Sequence, residues 1–337
     1  MQKYIKTTII IPCLNEEKYI SNCIESILNS TLNMQESEII LVDGGSSDKT
    51  VEIIDEYAKK ESSVKLLHNP KKYTPISMNI GIKSSRGTYI FIISAHAKYE
   101  SDYFSKLLNS IESLDASCVG GVLITDVKNK TKKSNAIKSV LSSKFGVGNS
   151  DFRTGADEIK KVDTVPFGCY KREVFEQYGV YDERLIRNQD IELNKRIIQG
   201  GGKIYLVPNV KCTYYARENF SDLAKNNFGN GKWNILTAYY TKTLNSLSLR
   251  HFVPLLFLLS LLLPLLFTLL SLKFAYLTLF SLFSYLALAI IISLKLRDDS
   301  NGFLYLIGSF LTLHLSYGFG SLVGIFSIIK KYIKGEK

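Results

Sequence analysis

The N-terminal part of the chain alternates short apolar runs with stretches that carry apolar residues at helical spacing. Thr7–Pro12 (TTIIIP) is nearly continuous in apolar and β-branched residues, which is typical of a strand buried on both faces. Further strands are predicted at Glu38–Asp43, Val64–Leu67, Tyr89–Ile93 and Ser117–Val127, and helices at residues 20–28, 51–58, 76–83 and 103–114. Because strands and helices alternate, the pattern predicts a mainly parallel α/β sheet with helices on both faces.

A different pattern begins at Phe252, where the chain becomes rich in leucine, phenylalanine, isoleucine and serine. Phe252–Leu272, Phe274–Leu296 and Phe303–Ile329 each have the roughly 20 residues that a membrane-spanning helix needs. Phe220–Leu247 mixes apolar and basic residues and is predicted to lie in the membrane interface. The sequence therefore predicts a soluble domain at residues 1–219, an amphipathic interface segment at 220–250, and a transmembrane helical region with a basic tail at 251–337.

One segment departs from the strand–helix pattern. Lys128–Lys161 is rich in lysine, serine and glycine and is predicted to be a mobile polar segment.

The number of membrane spans conflicts with the distribution of positive charge. Three membrane spans would place the soluble domain and the basic tail on opposite sides of the membrane, whereas the positive-inside rule favours the cytoplasmic side for both. One apolar segment is therefore a candidate for a re-entrant or interfacial helix.

Composition narrows the class of protein. The 337 residues carry 42 Lys plus Arg against 31 Asp plus Glu, a net charge of +11, and 46% are hydrophobic, which excludes general disorder. The cysteines are scattered and never paired as CxxC, which excludes a disulfide scaffold or a zinc knuckle and predicts reduced thiols. No nucleic-acid-binding signature accompanies the positive charge, so we assign it to lipid headgroups and phosphate-bearing ligands.

Polar clusters follow three of the predicted strands. They are Asn15-Glu16, Asp43-Gly44-Gly45 and Ser94-Ala95-His96. Ligands of parallel sheets bind beyond the carboxyl ends of the strands, so these clusters predict a site there. The first strand–helix turn reads PCLNEE, and the chain lacks GxGxxG, P-loop and GxSxG motifs, which argues against nicotinamide oxidoreductases, P-loop NTPases and serine hydrolases.

The ordered segments TTIIIPCLNEEKYI, EIILVDGGSSDKT, MNIGIKSSRGTYIFI and NQDIELNKRI resemble the landmarks of glycosyltransferase family 2, whose members have the GT-A fold. The stretches SAHAKY and DTVPFGCYKREVFE are similar to the ExoA-like enzymes of bacterial exopolysaccharide synthesis. The resemblance covers about residues 7–233. It implies that the soluble domain is a GT-A glycosyltransferase domain.

The resemblance also implies roles in donor binding. The residues placed near the donor nucleotide are Pro12, Asn15, Glu16, Asp43, Asn79, Arg86 and Ser94. His96 stands where the family binds its divalent metal, Mn²⁺ or Mg²⁺. Ser94 replaces the usual aspartate of that motif, so we expect metal binding to be weaker or shifted toward Mn²⁺, which accepts imidazole.

Catalytic and acceptor roles follow from the same resemblance. Asp190 matches the catalytic base that deprotonates the acceptor hydroxyl in an inverting transfer. Gln189 before it is the ExoA-like form and is placed on the acceptor or phosphate side, and Arg196 would orient Asp190 or bind phosphate. Lys232 and Trp233 fall near the family's acceptor side. Taken singly, several of these motifs also fit structural roles, such as a tight turn at residues 43–45 or a solvated helix face around Asp190.

The sequence thus predicts a multi-pass protein of the cytoplasmic membrane whose catalytic domain faces the cytoplasm. It would transfer a sugar from a nucleotide-diphosphate sugar, expected to be a UDP-sugar, to a polyprenyl-linked saccharide in exopolysaccharide or capsule assembly. The bilayer is a predicted partner and nucleic acid is not. The alternatives are a polyprenyl-phosphate sugar synthase, whose acceptor phosphate needs no general base, and a degenerate nucleotide-sugar-binding membrane scaffold.

Overall fold

The computed structural model describes residues 4–242 and 247–335, which form two units. The first unit contains Met1–Ile124 and Asp151–Tyr215, and the second contains Thr125–Ser150 and Ala216–Lys337. The strands are β1 Thr7–Cys13, β2 Ser37–Asp43, β3 Val64–His68, β4 Tyr89–Ile92, β5 Ala97–Tyr99, β6 Cys118–Asp126, β7 Lys160–Lys161, β8 Cys169–Lys171 and β9 Ile204–Tyr215. The helices of the first unit are α1 Ile20–Leu28, α2 Thr50–Lys60, α3 Thr74–Ser84, α4 Tyr103–Ser113, α7 Asp151–Thr154, α8 Arg172–Tyr178 and α9 Gln189–Gln199. Those of the second unit are α5 Lys132–Leu141, α6 Lys144–Val147, α10 Phe220–Thr241, α11 Val253–Phe267, α12 Phe274–Leu296 and α13 Phe303–Ile333.

One sheet organises the first unit. Its strand order is β3-β2-β1-β4-β8-β6-β9-β5, and β7 pairs with β9. The β3-β2-β1-β4 part is parallel, which confirms the predicted α/β architecture. Beyond β4 the pairing becomes antiparallel, beginning with β8. The sequence pattern did not indicate this antiparallel part, because β7 and β8 are only two and three residues long.

The apolar run of β1 is explained by two cores, one on each face of the sheet. Ile9 and Ile11 pack with α1 and α4, whereas Ile10, between them, packs on the opposite face with Ile82 of α3 and Leu193 of α9. Successive side chains of a strand point to opposite faces, so a strand covered on both sides must be apolar at every position.

The predicted mobile segment at Lys128–Lys161 is wrong for its central part. Residues 132–141 form helix α5, which begins with a capping box between Thr131 and Ser134. Ala136, Ile137 and Val140 are fully buried. The many lysines of the segment concealed this short apolar stripe, which recurs at helical spacing.

The C-terminal apolar region differs in part from the three predicted spans. Two helices, α12 and α13, are long and apolar enough to cross a membrane by length and composition. Helix α11 has only 15 residues, so it is shorter than the predicted span Phe252–Leu272. The predicted interface segment forms α10 over most of its length, and residues 243–246 lie outside the described residues.

Helices α10 and α13 lie side by side and run in the same direction. Phe228 lies beside Gly320, where any Cβ would overlap the Phe228 carbonyl oxygen. Further along, Lys331 Nζ donates to the hydroxyl of Tyr240 at 2.7 Å. The two helices are therefore in register over most of their length, and glycine allows their backbones to approach closely.

Candidate active site

A cavity of about 380 Å³ opens at the carboxyl edge of the parallel strands in the first unit. Residues at the end of β1, after β4 and at the start of α9 line it, together with residues 165–168 and the N-terminal part of α3. The predicted site residues that line it are Pro12, Glu16, Ser94, His96, Gln189 and Asp190. Residues from three distant parts of the sequence thus meet where the strand order predicted a site.

Glu16 and His96 form the central pair of this cavity. Glu16 Oε1 lies 2.9 Å from His96 Nε2. The Glu16 side chain is only 8% exposed, and its second oxygen, Oε2, is buried without a hydrogen-bond partner. The ring of Tyr19 packs edge-on against the His96 imidazole, with centroids 4.8 Å apart.

Ser94 shapes the loop that carries His96. Its Oγ accepts a hydrogen bond from the His96 backbone N–H at 3.2 Å, and its own N–H donates to the buried Tyr99 hydroxyl at 3.0 Å. Tyr99 OH in turn donates to the Ser94 carbonyl. These bonds hold the loop in place, but a hydroxyl brings no negative charge to the cavity.

Asn15 and Asp43 lie beside the cavity and organise the adjoining turn. Asn15 has a left-handed backbone (φ 57°), and its Oδ1 accepts from the Ser47 N–H at 2.8 Å. Asp43 is 2% exposed, and its carboxylate accepts from the N–H groups of Gly45 and Ser46. Both residues therefore hold the turn after β2. A direct nucleotide contact stays a prediction for them.

Asp190 stands at the start of α9 with part of its side chain exposed. Asn188 precedes the helix in a left-handed conformation (φ 62°), and Asp190 Oδ1 accepts from the Ile191 N–H at 2.9 Å. Desolvation by the surrounding protein raises the pKa of Asp190 above its usual value. A carboxylate with a raised pKa is a stronger base, as general-base catalysis requires.

Gln189, next to it, has a buried Oε1 without a hydrogen-bond partner. The cavity is therefore lined by two unpaired acceptor oxygens, this one and Glu16 Oε2. A buried acceptor without a donor is unfavourable, so both oxygens are suited to a ligand that brings N–H or O–H groups or positive charge.

Three residues that were predicted to contact substrates, or in the case of Arg196 to orient Asp190 or bind phosphate, have protein partners in the structure. Arg196 binds the Glu192 carboxylate and the Tyr178 and Val180 carbonyls. Asn79 is buried and exchanges hydrogen bonds with the backbone of Tyr181. Arg86 binds Glu38, which is near the start of β2 and therefore at the opposite edge of the sheet from the cavity. The structure does not bring Arg86 together with the other site residues.

Lys232 and Trp233 lie on α10 in the second unit. The Trp233 ring stacks with Tyr240, one face of which also receives the Lys331 ammonium. Their acceptor role stays a prediction.

The cavity also contains residues that the sequence analysis missed. Lys72 follows β3 at the carboxyl edge, is exposed, and has a left-handed backbone (φ 67°). Tyr170 and Tyr181 line the cavity from the other side. The detectable signal was the Lys71-Lys72 pair, which begins four residues after the predicted strand Val64–Leu67, since a basic side chain at that edge suits a phosphate group.

A metal would find few protein ligands here. Within residues 4–242 and 247–335, no group of three or more His, Cys, Asp or Glu side chains could hold an ion. The pair Glu16 and His96 nevertheless fits a cation, because the carboxylate has an unpaired oxygen and the imidazole is beside it. Divalent ions at phosphate-binding sites often take one or two protein ligands and complete their shell with substrate phosphates.

Comparisons with known proteins show the family of the chain. A model of Glycosyl transferase family 2 matches residues 8–179. The chain is 30% identical over 232 residues to the dolichyl N-acetyl-alpha-D-glucosaminyl phosphate 3-beta-D-2,3-diacetamido-2,3-dideoxy-beta-D-glucuronosyltransferase of Methanococcus voltae, covering 66% of this chain and 71% of that protein. It is also 30% identical over 226 residues to the succinoglycan biosynthesis protein ExoA of Rhizobium meliloti, covering 66% and 67%.

A solved structure shows the same fold. The mannosyltransferase PcManGT from Pyrobaculum calidifontis, in complex with GDP-Man and Mn²⁺, aligns with a TM-score of 0.63 at 13% identity, over 97% of this chain and 88% of that one. The expected GT-A fold is therefore confirmed. With a family model that matches half of its length and two relatives at 30% identity, the chain belongs to glycosyltransferase family 2.

Proposed function

We propose that the protein transfers a sugar, with inversion, from a nucleotide-diphosphate sugar to a lipid-linked saccharide at a membrane surface. The observation that carries this proposal is the composition of the cavity. Asp190, whose pKa is raised, lines the same cavity as Glu16, His96 and Lys72. A general base and a phosphate-binding edge are the two components that inverting transfer needs.

The donor is proposed to bind at the carboxyl edge of β1 and β4. Lys72 would face the diphosphate as a point charge, and Pro12 lies at the end of β1 on the same cavity wall. His96 would hold a divalent ion, which when bound neutralises charge on the leaving diphosphate. PcManGT, which shares the fold, is a complex with GDP-Man and Mn²⁺, and this supports a nucleotide sugar and a divalent ion as ligands.

Asp190 is proposed to act as the general base. Its carboxylate would take the proton of the acceptor hydroxyl while that oxygen forms a bond to the anomeric carbon. The bond from the anomeric carbon to the diphosphate oxygen breaks on the opposite face, and the nucleoside diphosphate leaves with the bonding electron pair. Attack from the face opposite the leaving group inverts the anomeric configuration.

A lipid-linked acceptor is supported by the relatives and by the second unit. The Methanococcus relative is named for a dolichyl-linked sugar phosphate, and the ExoA relative for succinoglycan biosynthesis. Helix α12 is 23 residues long, strongly apolar and mostly uncovered. A saccharide hydroxyl as acceptor requires a base, which Asp190 supplies, whereas a bare lipid phosphate would need none.

The proposed location is the cytoplasmic face of the cell membrane. Helix α10, which carries Lys225, Lys232 and several asparagines, is not among the helices apolar enough to span a membrane. Lys331 at the end of α13 binds Tyr240 at the end of α10, so these two helix ends are adjacent. We infer that α10 stays on one side of the membrane and that the basic tail after α13 lies on that same side, with α11 and α12 as the inserted hairpin.

The decisive experiment compares binding and turnover in one variant. Asp190→Asn is expected to bind UDP as the wild type does in calorimetry, and to lose sugar transfer by about 100- to 10,000-fold. Loss of UDP binding would contradict the assignment of Asp190 as the base. Unchanged transfer would favour a lipid phosphate acceptor. Absence of binding to both UDP and GDP in the wild type, together with absence of hydrolysis of either nucleotide sugar, would contradict the transferase proposal as a whole.

A further inference from the structure

The Glu16 carboxylate is the least satisfied acidic group of the cavity. One of its oxygens faces His96 Nε2 at 2.9 Å, and the other is buried with no partner. Among the described residues, no other buried carboxylate oxygen lacks a hydrogen bond. Burying an ionised carboxylate without full compensation is costly, so this oxygen is expected to be occupied by a donor or a cation when the site is at work.

The backbone of Glu16 is fixed before any ligand binds. Its N–H lies 2.7 Å from Thr50 Oγ1, to which it donates, and its carbonyl accepts from the N–H groups of Tyr19 and Ile20. His96 is held from its own side by Ser94 Oγ and by the Tyr19 ring. The two side chains are therefore preorganised as a pair, which is what a binding site for a small ion requires.

The separation of the two atoms suits adjacent ligands of one ion. With metal–ligand bonds of about 2.1 Å, neighbouring corners of an octahedral shell lie about 3.0 Å apart. The observed distance between Glu16 Oε1 and His96 Nε2 is 2.9 Å, which is also the length of a direct hydrogen bond between them; an ion held by both side chains would replace that bond. Carboxylate and imidazole together suit Mn²⁺, and a carboxylate suits Mg²⁺.

We propose that Glu16 and His96 are the protein's two ligands for the divalent ion, and that Glu16 supplies the carboxylate that Ser94 does not. This inference rests on the proposed function and adds a ligand to it. Glu16 and Ser94 line the same cavity although they follow different strands, β1 and β4. With only two protein ligands, affinity for the free ion is low, and the donor's phosphate oxygens complete the shell.

The test measures Mn²⁺ binding to the full-length, detergent-solubilised protein by electron paramagnetic resonance, with and without UDP. We expect UDP to increase Mn²⁺ affinity, and nitrogen modulation in pulsed spectra to report the His96 imidazole. Glu16→Gln should lower the Mn²⁺ affinity by about tenfold or more, because changes even outside the first ligands cost 10- to 100-fold. The double variant Glu16→Gln with Ser94→Asp should regain affinity, since it returns a carboxylate to the site.

Glu17→Gln is the matched control. Glu17 is adjacent in sequence, is exposed, and accepts from the Lys49 N–H at 3.3 Å without lining the cavity. Its substitution should leave Mn²⁺ affinity unchanged. If Glu16→Gln does not fold, Glu16→Asp, which keeps the charge, is used in its place. It should bind Mn²⁺ more weakly than the wild type because its side chain is shorter.

Wild-type Mn²⁺ affinity in the Glu16 variants would overturn the inference while leaving the proposed function intact. If the wild type binds UDP but no Mn²⁺, the proposal that Glu16 and His96 bind a divalent ion is refuted. If neither UDP nor GDP binds, the proposed function is contradicted, whereas Mn²⁺ titrations without nucleotide, at higher ion concentration, still compare the affinity of the wild type with that of the Glu16 variants.

Discussion

Arg86 is expected to stabilise the fold without contributing to nucleotide binding. Its guanidinium Nε and Nη2 donate to Glu38 Oε2 at 3.2 and 3.1 Å, and Glu38 is only 1% exposed. In Arg86→Ala these two bonds disappear, whereas the bond from the residue-86 backbone N–H and the pair with Lys65 remain. A hydrogen bond to a charged group contributes about 1.5–3 kcal/mol, but Arg86 is half exposed, so screening reduces the expected loss to about 1–2 kcal/mol.

The assay combines thermal unfolding with UDP calorimetry on the same preparation. The expected loss corresponds to a decrease in Tm of roughly 2–8 °C. Lys106→Ala is the control, because Lys106 forms an exposed pair with Asp102 and should change Tm little. The reasoning is refuted if Arg86→Ala keeps the wild-type Tm and loses UDP affinity, since the residue would then act on the nucleotide.

The pH dependence of stability provides a second test of the contact between Arg86 and Glu38. Burial acts to raise the pKa of Glu38, but the hydrogen bonds from Lys65, the Arg86 backbone and Thr8 outweigh it and lower the pKa below the usual 4.5. A lowered folded-state pKa means that the stabilisation is complete above pH 4.5 and is lost as pH falls through the folded-state pKa. The Tm difference between wild type and Arg86→Ala should therefore shrink in that acid range.

Three further predictions test other parts of the molecule. The transfer rate should fall in acid at a pH above about 4, where an ordinary aspartate titrates, because desolvation raises the pKa of Asp190; an acid limb at or below that value would contradict the base assignment. Asn79→Ala should lower both the free energy of unfolding, by about 2 kcal/mol, and UDP affinity, because it releases the cavity residue Tyr181; unchanged UDP binding would limit Asn79 to a folding role. Cysteines placed at Ser221 and Lys334 should react with an impermeant maleimide from the same side of the membrane, and labelling from opposite sides would show that α13 crosses it.

The strand–helix alternation made much of the first unit predictable. β1, β2 and β4 are within a residue or two of the predicted strands, because strands buried on both faces must be apolar throughout. The location of the site was predictable, because polar residues that follow parallel strands meet at one edge of the sheet. Helix α5 was missed because its apolar stripe is short and surrounded by lysines.

The contacts of individual side chains were less predictable than the location of the site. Arg86 and Arg196 both stand within family-like segments, yet each binds a carboxylate of the protein. Arg86 binds Glu38, which belongs to a different segment of the chain, and Arg196 binds Glu192, one helical turn before it. Lys72 belongs to no recognised segment and nevertheless lines the cavity. Sequence proximity to a motif gives the neighbourhood of a residue, whereas the direction of its side chain depends on which partners the fold brings within reach.

The local order of residues was enough to establish the family, the α/β alternation and the apolar C-terminal region, because periodicity and motif order are properties of nearby positions. The pairing of Glu16 with His96, the burial around Asp190 and the alignment of α10 with α13 join residues that are tens of positions apart in the chain. Such contacts depend on how strands and helices pack in three dimensions. A carboxylate acquires an unpaired oxygen or a raised pKa only when that packing removes water from around it.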